Sequence, residues 1–198
     1  MFILRSGIVL KMVHDVIKKI LDGGDFSTGG GAAGAITGAM AAALVAMVAA
    51  LSLKKNYGLD DSQYIKIKAD AAAISQKLVA GAQKDIDAFA LIKKAYTLPK
   101  STPEEIKKRD AQIDKGYFEA AMVPRDNARL CQQVLELSGR LAQKSNPSAV
   151  SDLEAAQTLA AAAVKCCIYN IRINLLCIYD EDVTRELEDF INRLTFNL

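Results

Sequence analysis

One aspartate stands where its helix calls for an apolar residue. Ala71, Ile74, Leu78, Gly81, Asp85, Ala88, Ile92 and Ala95 recur at alternating spacings of three and four, which is the core-facing seam of an α-helix. Every member except Asp85 is apolar or small. A carboxylate there must be ion-paired, hydrogen-bonded or protonated, because an unpaired buried charge is expensive. Two readings are open: a structural ion pair or helix cap, or a general acid/base whose pKa is lifted towards neutrality by burial. Asp87, two residues on, falls on the solvated side with Gln83 and Lys94 and needs neither.

Two other groups have types suited to binding. Asn170 and Asn174 belong to the run Ala156, Ala160, Ala163, Cys167, Asn170, Asn174 and Cys177, and one helical turn sets their amides side by side. They suit interhelical hydrogen bonds that fix register, or a ligand. Gly29, Gly30 and Gly31 open a helix, where unpaired N–H groups and the dipole favour an anion or a carbonyl oxygen. The alternative is a tight turn leading into the helix. The triplet matches neither a phosphate loop with its lysine nor the dinucleotide fingerprint. His14 is the sole histidine, which removes the usual metal sites and histidine-based catalysis. Cys131, Cys166, Cys167 and Cys177 lack CxxC spacing and read as buried thiols in a reducing cytoplasm, not as a disulfide framework. No metal is expected.

The elements that must position these groups are helices. Of 198 residues, 51% are hydrophobic but only 6% aromatic, with no tryptophan, so the apolar content is largely alanine with leucine and isoleucine, which favours helix. A charged fraction of 24% and mean hydropathy of +0.12 exclude a disordered chain. Twenty-five basic against 23 acidic residues exclude a nucleic-acid binder by bulk charge. The pattern predicts helices over about Lys11–Leu21, from the triglycine to about Leu53, Asp60–Thr97, Pro103–Ala121, Pro124–Ala142, Ser148 or Ser151 to Cys177, and Glu181–Leu194. Thr102-Pro103-Glu104-Glu105 is a capping box with proline at the first helical position. Residues 1–11 read as a peripheral extension without a signal-peptide cleavage site, with Met12 as an alternative start. The fold expected over 1–198 is all-α: one antiparallel bundle of six or seven helices around an Ala/Gly-rich central helix.

That central helix raises a membrane question, since Phe26–Leu53 carries no charge over 28 residues and is long enough to span a bilayer. Its composition argues for protein surroundings instead. Gly30, Gly34, Gly38, Ala42, Ala46 and Ala50 form a small-residue ridge at every fourth position, and such a ridge lets another helix backbone approach closely. A helix buried on all sides in a bundle is the reading adopted.

With these residues in place, the chain resembles a known family. The string Gly29–Tyr57 (GGGAAGAITGAMAAALVAMVAALSLKKNY) is similar to the N-terminal signature of the formiminotransferase-cyclodeaminase C-terminal domain family, which includes stand-alone methenyltetrahydrofolate cyclohydrolases. KDIDAF at Lys84–Phe89, LPKSTPEE at Leu98–Glu105, the Ala-x-Val-Pro at Ala121–Pro124, Ser-Asp-Leu at Ser151–Leu153 and Asn-x-x-x-Asn-Leu at Asn170–Leu175 resemble the family's later segments, in family order. Thr28 stands where the family often has proline, and Ala32 where serine is common.

The resemblance implies a helical, dimeric, cytoplasmic enzyme of one-carbon folate metabolism, with a tetrahydrofolate derivative as substrate and no bound cofactor, nucleic acid or membrane. It implies a lyase that closes 5-formiminotetrahydrofolate to the 5,10-methenyl form with loss of ammonia. The alternative is a hydrolase that opens the methenyl form to 10-formyltetrahydrofolate. A non-catalytic helical interaction protein, or a membrane-associated one, is the alternative of another class. Asp85 falls where the family's catalytic aspartate is expected. Asp152, Asn170 and Asn174 are then assigned to holding the folate ring or ordering Asp85, Gly29–Gly31 to a polar part of the substrate, and Lys54 and Lys55 to a glutamate tail.

Overall fold

Glycine, proline and short capping motifs set the helix boundaries. In a computed structural model that describes residues 2–196, the elements are α1 (Phe2–Leu21), α2 (Gly30–Leu51), α3 (Asp61–Tyr96), α4 (Pro103–Leu141), a 3₁₀ turn at Pro147–Ala149, α5 (Val150–Leu175) and α6 (Glu181–Phe196). No strand occurs among the described residues, so the chain is an all-α bundle. The expected start at Met1 lies outside the described residues, and the stretch from Phe2 joins α1 as one helix. Asp60 caps α3 by accepting from the Gln63 N–H, and the Gln63 side chain accepts from the Asp60 N–H in return. Thr102 and Glu105 close the same box at the start of α4, with Pro103 just inside.

Two further boundaries differ from expectation. Pro124 does not begin a helix; it lies buried inside a continuous 39-residue α4. A proline inside a helix removes one N–H and frees the carbonyl four residues earlier, here that of Ala120. The Asn174 Nδ2 donates to this carbonyl at 2.8 Å, so the helix continues with its freed acceptor occupied. The approach to α5 is capped not by Ser148 or Ser151 but by Asn146, whose side chain accepts from the Ser148 N–H and starts the 3₁₀ turn.

Helices α2 to α5 run alternately up and down. At one end, α2 meets the loop before α5 through Asn146, which donates to Ser52 Oγ and to the Leu51 carbonyl. Tyr64, near the start of α3, donates to the Lys144 carbonyl there. At the other end, the first turn of α2 meets Asp85 of α3 and Asn170 of α5, and α5 meets the middle of α4. The Asp85 seam faces inwards as predicted, with Ala71, Ile74, Leu78, Gly81, Ala88, Ile92 and Ala95 all buried. Helix α1 packs on α2 and α3, and α6 rests on α5, adding Val16, Leu187, Phe190, Ile191 and Leu194 to the core.

Among the described residues α2 is the one helix long and apolar enough to cross a membrane, yet more than half of its apolar stretch is buried against the protein. It is not covered on all sides. Met40, Ala43, Met47 and Leu51 share an exposed stripe, whereas the ridge residues Gly34 and Gly38 touch neighbouring helices. A Cβ on Gly34 would lie 2.8 Å from Cys166 Cβ, and one on Gly38 would lie 2.5 Å from Cys131 Sγ. The Cys166 Cβ sits at the root of its side chain and cannot swing away. Gly34→Ala is therefore expected to destabilise the protein by about 1–3 kcal/mol through overpacking, read as a lowered urea midpoint at unchanged slope. An unchanged midpoint would show that α2 and α5 can separate freely.

Candidate active site

The first turn of α2, the middle of α3 and the last turns of α5 enclose a cavity of about 460 Å³, within the range of small-molecule sites. Its lining includes Gly29, Gly30, Gly31, Asp85, Asn170 and Asn174. Six of the nine residues singled out from the sequence thus meet in one place. Lys54, Lys55 and Asp152 do not. Asp152 is in the first turn of α5, 18 residues and hence about 27 Å along the helix from Asn170. Lys54 and Lys55 follow the C-terminal end of α2, about 30 Å from Gly30 by the same rise. Within one chain these three belong to the opposite end of the bundle and cannot share a ligand contact with Asp85. The helix spans expected from the sequence already separate them in this way, so it was the family resemblance and not helix geometry that grouped them with Asp85.

Asp85 is held against a helix start that has no cap of its own. The N-cap residue of α2 is Gly29, which has no side chain to accept from the first turn. The Asp85 carboxylate lies against this turn instead, near enough to the Ala32 N–H for that amide to favour its charged form. Gly31 is what makes that contact possible: a Cβ there would lie 2.2 Å from Asp85 Oδ1 and 2.6 Å from its Cγ. Asp85 reaches no basic partner within ion-pair distance among the described residues. Burial in these apolar surroundings pushes its pKa from 3.8 up to about 6, with the Ala32 N–H opposing the rise. The ion-pair reading of Asp85 is thereby set aside, while its place at the uncapped start of α2 fits the helix-cap reading. It is at the same time a carboxyl group whose pKa is raised to about 6, beside helix N–H groups that can receive an acceptor atom.

The opposite wall carries amides, hydroxyls and a thiol. A Cβ on Gly30 would lie 3.6 Å from Asn170 Nδ2, so that amide faces the glycine turn. Asn174 Nδ2 donates to the carbonyls of both Ala120 and Asn170 at 2.8 Å. Tyr117 and Cys177 line the same cavity, and the Tyr117 hydroxyl lies 3.4 Å from that of Tyr96. Hydrogen bonding to Tyr96 first, then burial and the Cys177 thiol, raises the Tyr117 pKa well above 10, so this hydroxyl keeps its proton. Cys131 and Cys167 are buried and free. The Cys167 thiol is pushed up by its contact with Cys131 and by burial.

Several lining residues escaped the reading of the sequence. Phe26, Phe89, Ile173 and Leu176 form an apolar mouth, and Phe26 and Leu176 are 84% and 78% exposed. Phe89 follows Asp85 by one helical turn, and Cys177 follows Asn170 and Asn174 at +7 and +3, spacings that placed them on the site's face. Phe26 sits in the loop before the triglycine, where no periodicity exists to find it. Among the described residues no group of three His, Cys, Asp or Glu side chains converges as a metal site.

Comparison with known proteins agrees with this architecture. The formiminotransferase-cyclodeaminase family model matches residues 14–193. The chain is 33% identical over 192 residues to a methenyltetrahydrofolate cyclohydrolase of Methylorubrum extorquens, covering 90% of this chain and 89% of that protein. It is 30% identical over 190 residues to the formimidoyltransferase-cyclodeaminase of Gallus gallus, covering 96% of this chain but only 35% of that longer protein. A formiminotetrahydrofolate cyclodeaminase from Thermotoga maritima superposes with a TM-score of 0.79 at 29% identity, over 90% of this chain and 86% of that one. A match along this much of the sequence, on the same bundle, shows that the chain belongs to the formiminotransferase-cyclodeaminase family.

Proposed function

We propose that this protein is a folate one-carbon enzyme that closes 5-formiminotetrahydrofolate to 5,10-methenyltetrahydrofolate and releases ammonia. The observation that carries the reading is Asp85: a carboxyl group titrating near 6 in an apolar cavity, against the uncapped start of α2. In the proposed step the substrate enters with its formimino group protonated (N5–CH=NH₂⁺); N10 attacks that carbon, the C=N electron pair moves onto the exocyclic nitrogen, and the Asp85 carboxylate takes the N10 proton. The same proton is returned to the exocyclic nitrogen as its bond to carbon breaks and ammonia leaves. A carboxylate near the carbon also stabilises the methenyl cation that forms. Gly30 and Gly31 N–H groups are assigned to an acceptor on the substrate, and Asn170 and Asn174 to the ring. The tetrahydrofolate derivative is the substrate, and no separate cofactor takes part.

A second reading is hydrolysis of the methenyl form to 10-formyltetrahydrofolate. It is favoured by the match to the Methylorubrum extorquens cyclohydrolase along nearly the full length of both chains. Both reactions pass through a tetrahedral carbon between N5 and N10, and both use the same proton shuttle. Giving the purified protein each substrate and following the methenyl absorbance separates them. Absorbance that rises with the formimino substrate supports the first reading, and absorbance that falls with the methenyl substrate supports the second. No change with either overturns both.

The active species is proposed to be a cytoplasmic homodimer. Support comes from the exposed apolar stripe of Met40, Met47 and Leu51 on α2 and from four free thiols. A detergent-free preparation eluting at the mass of one chain would contradict the dimer.

A further inference from the structure

Pro124 does not touch the cavity, yet the structure ties it to one side chain that does. Its ring nitrogen has no hydrogen to give to the Ala120 carbonyl four residues back. That carbonyl accepts from Asn174 Nδ2 instead, and the second hydrogen of the same nitrogen goes to the Asn170 carbonyl. An atom 2.8 Å from two carbonyl oxygens must be the donor nitrogen, since a carbonyl cannot donate back. The amide orientation is therefore dictated by its neighbours. Both donor hydrogens are spent inside the protein, and among the described residues no donor takes Asn174 Oδ1. Ala120 and Asn174 both line the cavity.

We infer that Pro124 is a positioning residue: by freeing the Ala120 carbonyl it locks Asn174 with Oδ1 as the atom offered to the cavity, so this position receives a hydrogen-bond donor of the ligand, an N–H or NH₂ edge, and rejects an acceptor. The inference deepens the folate reading above and rests on it for the identity of the ligand. With an ordinary residue at 124, its N–H would take one of the two lone pairs of the Ala120 carbonyl, as in any α-helix, and crowd the approach left to Asn174. Asn174 would then be held less firmly at that anchor than in the wild type and could turn its NH₂ towards the ligand, offering a donor to a donor.

The test compares Pro124→Ala, Asn174→Ala and the double variant with the wild type. Pro124→Ala restores a helix hydrogen bond and replaces the poorest helix former by the best, so a melting temperature unchanged or raised by a few degrees is expected. A purely structural proline would give a lowered one. In spite of that stability, kcat/KM is expected to fall about 3- to 10-fold, the scale of one neutral hydrogen bond, and the loss should appear in KM with kcat little changed. The double variant should be no worse than Asn174→Ala alone, because without the amide there is nothing left to position. Losses that simply add would overturn the inference. A second readout does not depend on turnover. In ¹⁵N-edited NMR spectra the Asn174 side-chain amide, identified by its absence in Asn174→Ala, should exchange slowly in the wild type and markedly faster in Pro124→Ala. Equal exchange in the two proteins overturns the lock itself. A wild type that converts neither folate substrate, but shows this contrast in exchange, leaves the lock standing and fails only the folate reading.

Discussion

Asp85→Asn is expected to lose at least ~10²-fold in turnover, the usual scale for a general acid/base, while gaining stability at neutral and alkaline pH. The two effects have one cause. Burial raises the Asp85 pKa from 3.8 to about 6, so the ionised form is disfavoured in the folded protein relative to the unfolded chain. For such a raised group the sign is definite. Its contribution to stability is fully present below about pH 4 and is lost as pH rises through about 6. The gap corresponds to about 3 kcal/mol at most, less what residual water contact screens. Asparagine carries no charge to desolvate and still offers an oxygen to the Ala32 N–H. The variant should therefore melt several degrees higher than the wild type at pH 8, and the difference should vanish below pH 4. The wild-type rate should fall as pH drops through about 6, because the base is then protonated. Near-normal turnover in Asp85→Asn would remove the proton shuttle from the mechanism. Equal melting at pH 8 would mean that the carboxylate is better solvated than its surroundings imply.

Gly31→Ala should be nearly as damaging to activity, for a geometric reason. The added methyl group would lie 2.2 Å from Asp85 Oδ1, closer than any real contact allows. One of the two must move, and the carboxylate is the freer partner. A displacement on the order of 1 Å at a reacting group costs about 10²-fold. Folding should suffer much less, because alanine gains about 0.5–1 kcal/mol over glycine in a helix and the crowding is relieved by rotation of one short side chain. The expected result is a folded protein, within about 2 kcal/mol of wild-type stability, with turnover reduced ~10²-fold. Gly139→Ala, at a position on α4 with nothing within 4 Å, controls for the exchange of residue type and should keep full activity. Wild-type turnover in Gly31→Ala would place the working carboxylate elsewhere.

How far the sequence reaches depends on whether a residue's role is set by period or by contact. The Asp85 seam was legible because a period of 3.5 is the same whether or not the partner helix is known. The capping box at Thr102 was legible because its bonds are local. Pro124 was misread for the opposite reason: what lets a helix run through a proline is a side chain 50 residues later, and no local pattern announces it. Asp85, the glycines and the two asparagines could be singled out one by one because each breaks or begins a periodic run, and the family resemblance joined them into one site. Lys54, Lys55 and Asp152 were grouped with them through family likeness alone, and the up-and-down order of α2 and α5 carries them to the other end. Phe26 and Leu176 lie where regular structure stops, and there the sequence offers composition only.

The buried face of α2 also sets what the site can do when a ligand arrives. Nine of its twelve buried residues are glycine or alanine, side chains with no rotamers to exchange. The surface on which the Asp85 carboxylate rests therefore cannot repack around substrates of different shape. Adaptation is left to the mouth, where Phe26 and Leu176 stand largely in solvent. Tolerance for varied substituents should accordingly lie at the outer part of the substrate, and strictness at the carbon being transferred.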